Sequence, residues 1–143
     1  MKGAKALLYQ VRDEQREINI IRNLMWQTEM DILPSGIRYD KDSVQSSPED
    51  HMLETVTRYS KDMDKYRRQL ERHLRTIAPK RSRAIAMIAR LQDPAQRQVL
   101  ELFFLDSRRL TMQQVAEAIG YEIAQTYRIY KAALQNLNGR RKT

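Results

Sequence analysis

Apolar residues recur at Ala4, Leu7, Val11, Ile18, Ile21, Met25 and Ile32, close to a seven-residue repeat, and predict one long helix over residues 4–32. Glu14 and Thr28 interrupt this stripe, and Leu8 and Trp26 widen it. The helix is expected to stop near Leu33, because Pro34 disfavours helical backbone in the residue before it and Gly36 follows. A polar linker covers about 33–47. Ser47 then offers a cap, Pro48 suits a first helical turn, and Glu49 and Asp50 complement the helix dipole. From there Met52, Val56, Tyr59, Met63, Tyr66, Leu70, His73 and Ile77 alternate steps of four and three, the period of a coiled-coil seam. Two long helices joined by a linker most simply form an antiparallel hairpin, and the same seam can be used between chains.

Pro79 has no amide hydrogen to give a helix interior, so a kink or break is expected there. Ala84, Ile85, Ile88 and Leu91 mark a further amphipathic segment. Asp93 and Pro94 open a helix running through Val99, Leu100, Leu102, Phe104 and Leu105, and residues 106–110 form a connection. The predicted fold is all-α, with residues 1–92 as a helical, coiled-coil region and 93–143 as a second domain.

The second domain carries the most specific pattern. Thr111 and Gln114 have the spacing of a capping box. The residues that follow match a helix-turn-helix spanning Thr111 to Leu137. Val115 and Ile119 supply an inner face, Ala116 is small at the helix crossing, and Gly120 sits in the turn, where left-handed backbone is needed. Tyr121 occupies the position of an apolar plug. Thr126, Ile129, Tyr130, Ala133 and Leu137 form the buried stripe of the second helix, which covers about 122–137. Its opposite face lies toward base edges if the helix enters a major groove. Ala124, Arg128, Lys131 and Gln135 centre that face, flanked by Gln125 and Tyr127. Arg128 suits guanine and Gln125 suits adenine. Arg108, Arg109, Lys131, Arg140, Arg141 and Lys142 are candidates for phosphate contacts, which hold register without reading sequence. Glu122 stands at the helix start, where capping is expected. A helical hairpin that binds protein and no DNA is the bland alternative.

Charge strengthens the first of these readings. The 143 residues carry a net charge of +8, residues 1–47 are balanced, and the excess falls on 48–143. Between Lys65 and Arg90, nine basic side chains (Lys65, Arg67, Arg68, Arg72, Arg75, Lys80, Arg81, Arg83 and Arg90) accompany only Glu71. Such a stripe fits a polyanion, and equally a solvated helix face. The chain has no cysteine, which removes disulfides and thiolate chemistry. It has no Gly-rich phosphate loop, no G-x-S-x-G and no H-E-x-x-H. His51 and His73 are far apart, and His73 falls on the seam, so no metal, no cofactor and no enzyme are expected. Early charge and the lack of a long apolar run predict neither signal peptide nor membrane span, hence a cytoplasmic protein.

The run PAQRQVLELFFLDSRRLTMQQVAEAIGYEIAQTYRIYKAALQNL resembles region 4 of the sigma-70 factors, which joins an R-x-V-L-x-L helix to a helix-turn-helix. With DKDSVQSSPEDHM and the long charged helix before it, the chain is similar to the ArpU-type phage regulators over roughly 37–137. The resemblance implies a phage or prophage regulator of late-gene transcription in a bacterial host cell, binding double-stranded promoter DNA and RNA polymerase. By the same resemblance the base-reading face falls on Ile123, Ala124, Tyr127 and Arg128. This chain departs from the sigma pattern at the first three, which are usually charged or polar, and at Phe103, where arginine is common. Two other readings stay open at this point. One is a DNA-packaging protein like the phage small terminase subunits, which assemble in rings. The other is a coiled-coil adaptor or homodimer that uses the seam and no DNA.

Overall fold

The computed structural model describes residues 2–32 and 48–139. It is all-α, with no strand among the described residues. The helices are α1 (Lys2–Ile32), α2 (Pro48–Ala89), α3 (Pro94–Leu100), α4 (Met112–Ile119) and α5 (Ile123–Gly139), with a π-helical turn at Glu101–Leu105 directly after α3. The linker expected at 33–47 lies outside the described residues, apart from α2 beginning at Pro48 as the proline predicts. Two compact units make up the chain: Met1–Glu17 with Leu74–Thr143, and Ile18–His73. Both α1 and α2 contribute residues to each unit.

Of the kink or break expected at Pro79, the break does not occur, since α2 is helical on both sides of it. Pro79 is exposed, so its ring stays outside the core, and its missing amide costs α2 one hydrogen bond without ending the helix.

In the unit Ile18–His73, Ile18 and Ile21 of α1 and Met63 of α2 are buried, while Met25, Tyr59, Tyr66, Leu70 and His73 are half-buried. The seam of α2 is therefore only partly closed: Met63 is 1% exposed, but Met52 is 64% exposed and Val56 is open as well. In α1 the seam also differs by one position from the sequence pattern. Gln15, not Glu14, is the polar residue inside it, buried alongside Val11 and Ile18.

The other unit has the larger core. Ala4, Leu8 and Val11 of α1, and Ile77, Ala84, Ile88 and Leu91 of or just after α2, are buried together with Val99, Leu100, Phe104, Leu105, Leu110, Met112, Val115 and Ala116. The inner face of α5 completes it with Thr126, Tyr130, Ala133, Leu134 and Leu137. Asp93 caps α3 by accepting from the Ala95 amide at 2.9 Å, with Pro94 at the first helical position. The sequence pattern predicts a plain α-helix through Leu105, but its last turn is π-helical: the Asp106 amide donates to the Glu101 carbonyl, five residues back, at 3.1 Å.

Widening that turn needs outside donors, and two arginines provide them. Arg12 of α1 donates to the Phe103 carbonyl at 2.6 Å, and Arg81 of α2 donates to the Leu105 carbonyl at 2.7 Å. Carbonyls at a helix end need partners from elsewhere in the chain, and these side chains are those partners. Arg97 likewise donates to the Leu91 carbonyl.

The capping box at the start of α4 is complete. The Gln114 amide donates to Thr111 Oγ1 at 3.2 Å, and the Thr111 amide donates to Gln114 Oε1 at 2.9 Å. Gly120 ends α4 with φ +79°, and the amides of Gly120 and Tyr121 both donate to the Ala116 carbonyl. A Cβ at 120 would meet no atom within 4 Å. The cost of Gly120→Val is then the left-handed backbone alone, about 1–2 kcal/mol in urea unfolding. A neutral result would mean that the turn relaxes to another conformation.

Candidate nucleic-acid interface

The orientation of α5 follows from what it buries. Thr126 is fully buried, with its hydroxyl and amide both donating to the Glu122 carbonyl at 2.9 Å. Glu122 therefore serves the helix start through its main chain. Tyr130 is held from several sides. Its hydroxyl shares a 2.6 Å hydrogen bond with that of Tyr9 on α1, its ring stacks on Phe104 at 6.1 Å, and Phe103 meets it edge-on at 5.6 Å. Burial and the Tyr9 hydrogen bond both raise the Tyr130 pKa above the ordinary phenol value, so it remains a neutral group. Asn136 near the far end donates to Gln96 Oε1 of α3 at 2.8 Å. The inner stripe is Thr126, Tyr130, Ala133, Leu134 and Leu137, so Leu134 joins the expected set and Ile129 lies half-buried at its edge.

With that face inward, Ile123, Ala124, Gln125, Tyr127 and Arg128 are all exposed, as are Lys131 and Gln135. These five candidate base-reading residues lie within the first two turns of α5. Arg128 and Lys131 are the only charged residues of the helix, which contains no acid from Ile123 to Gly139. Tyr127 keeps its ring 6.4 Å from that of Tyr130, nearly perpendicular to it. Tyr121 does not plug the turn: it is 41% exposed, beside the start of α5. The backbone of the left-handed Gly120 turns the chain, and the core beneath is already filled by Val115, Ala116 and Thr126.

The candidate phosphate-binding residues differ in their availability. Lys131 is exposed. Arg108 is exposed but forked onto Asp106, with Nε to Oδ1 at 2.9 Å and Nη2 to Oδ2 at 2.8 Å. Those hydrogen bonds from Arg108 hold the Asp106 carboxyl down to about 2. Arg109 turns inward, with its Nε donating to the Arg12 carbonyl at 3.1 Å and its backbone left-handed at φ +53°. Arg140, Arg141 and Lys142 lie outside the described residues.

The basic stripe on α2 is not uniform either. Lys65, Arg67, Arg68, Arg72, Arg75, Arg83 and Arg90 are exposed, whereas Lys80 and Arg81 are half-buried and Arg81 is committed to the Leu105 carbonyl. Arg67 also meets Asp64 at 3.4 Å, a solvated pair of small energetic weight.

Sequence reasoning did not find Tyr9 and Arg12, which hold the module from α1. Arg12 sits 4.0 Å over the Phe103 ring while bonding the Phe103 carbonyl. Burial, and then the charge of Arg109, lower its pKa from the ordinary guanidinium value. Both residues look like unremarkable positions on an amphipathic helix, and their partners are remote in sequence. Among the described residues no group of three or more His, Cys, Asp or Glu is placed to hold a metal. Nor is any described helix long and apolar enough to cross a membrane. No protein family, curated protein or solved structure matches the chain.

Proposed function

We propose that this chain is a sequence-specific binder of double-stranded DNA, with α5 as a recognition helix in the major groove. The observation that carries this reading is the outward face of α5. It is wholly exposed, free of acid, and charged only by Arg128 and Lys131, on a helix whose other side is locked into a core. The capped α4 and the left-handed turn at Gly120 support a helix-turn-helix, the form of this pair expected from the sequence. Ile123, Ala124, Gln125, Tyr127 and Arg128 then contact base edges. Lys131 is the exposed phosphate contact, with Arg108 once it leaves Asp106 and the basic residues at 140–142, whereas Arg109 is committed to the Arg12 carbonyl. A region-4-like module behind a long helical region fits a phage or prophage regulator of late-gene transcription that meets RNA polymerase, and it requires no catalytic chemistry.

The test is selection of bound duplexes from a random pool, followed by titration of the enriched site. Arg128→Ala should weaken that site by about 1–3 kcal/mol, roughly fivefold to more than a hundredfold, and relax preference at one base pair. Equal weakening on every sequence would make Arg128 a phosphate contact, and a pool with no enrichment would sink the reading.

A second reading has its own observation. Trp26, Met30, Met52, Leu53 and Val56 are exposed apolar side chains, all in the unit Ile18–His73. Where such side chains form one patch they favour protein contact, through a homodimer, an adaptor or a packaging ring. Mass by light scattering separates these: a monomer or dimer suits the regulator, and a closed ring suits packaging.

A further inference from the structure

The reading face of α5 is more apolar than phosphate binding or polar base readout needs. Ile123 is 46% exposed and Tyr127 is 45% exposed, and Ala124, also exposed, lies between them in sequence. The Tyr127 ring is no loose surface group. It lies against Tyr130, which is fixed in turn by the Tyr9 hydroxyl and by Phe103 and Phe104. The row is thus presented on a rigid support, with Gln125 and Arg128 as its polar neighbours.

Among the edges that base pairs offer in the major groove, the one apolar group is the 5-methyl of thymine. A protein partner would also cover the row, but it would need an apolar pocket and its own carboxylates beside it, because α5 has no acid to pair Arg128 and Lys131. Duplex DNA meets both demands, with phosphates for the cations and methyl groups for the row.

We infer that Ile123, Ala124 and Tyr127 form a thymine-methyl contact row, so that the target of this chain contains closely spaced A·T pairs read through their methyl groups. The inference rests on the DNA-binding reading above and adds the chemistry of the target to it. One helical turn separates Ile123 from Tyr127, about 6 Å along the axis. That matches roughly two base-pair steps at about 3.4 Å each. The methyls they meet should therefore lie within about two base pairs of one another.

Deoxyuridine tests this directly, because it pairs as thymidine does and lacks only the methyl. Each thymine of the enriched site is replaced in turn and the affinity measured at fixed salt. One or two neighbouring positions should lose roughly fourfold each, the factor for one buried methyl-sized group. At one of them, Ile123→Ala should bind the thymine and uracil duplexes equally, and Tyr127→Ala should do so at the other. An enriched site bound equally well with uracil at every position would overturn the inference while leaving the DNA reading in place. The row would then be assigned to a protein partner. Failure to enrich any site overturns both, and it is seen before any uracil is introduced.

Discussion

Phe104→Ala should destabilise the chain by about 3–5 kcal/mol, the usual loss for deleting a fully buried ring. Phe104 is 1% exposed and lies where three aromatic neighbours converge. Tyr9 meets it edge-on at 5.0 Å, Phe103 edge-on at 4.9 Å, and Tyr130 stacks at 6.1 Å. Tyr9 comes from α1 and Tyr130 from α5, while Phe104 sits in a π-helical turn whose carbonyls are held by Arg12 and Arg81. The surrounding rings cannot close the gap without giving up the Tyr9–Tyr130 hydrogen bond or the arginine contacts, so relaxation is limited. Urea unfolding at constant m-value measures the loss. Ile123→Ala, on the exposed face of α5, should stay within about 0.5 kcal/mol of the parent chain. A Phe104→Ala loss below about 1 kcal/mol would mean that the aromatic cluster does not hold the module together.

Met63→Asp should cost several kcal/mol as well, on the order expected for a carboxylate buried without a partner. Met63 lies deep in the unit Ile18–His73, and Met52 occupies the same seam in sequence yet is 64% exposed. The two therefore make a matched pair. Met52→Asp should be nearly neutral in thermal unfolding of the isolated chain, and Met63→Asp should lower the midpoint sharply. A large loss for Met52→Asp at high protein concentration only would instead place its end of the seam in a contact between copies.

Sequence alone determined those features whose cause lies within a few residues. The Asp93–Pro94 start, the Thr111–Gln114 capping box and the left-handed Gly120 all appear as read, because each depends on hydrogen bonds and backbone sterics between near neighbours. The exposed side of α5 was legible for the same reason: a 3.6-residue period with Thr126 inside leaves Ala124, Tyr127, Arg128 and Lys131 outside.

The remaining features were decided only when distant segments met. That α2 continues through Pro79, which stays exposed, is recorded by no local pattern. The exposure of Met52 and Val56, which share a seven-residue pattern with the buried Met63, follows from no local rule. Arg12 pairs with Phe103 across 91 positions, Tyr9 with Tyr130 across 121, and Arg109 with Arg12 across 97. These side chains satisfy carbonyls and hydroxyls that a buried site cannot leave unpaired, and which arginine meets that need is set by tertiary proximity. A count of basic residues therefore identifies how much charge the chain carries, but only the packed structure separates the arginines that hold the fold from those left exposed.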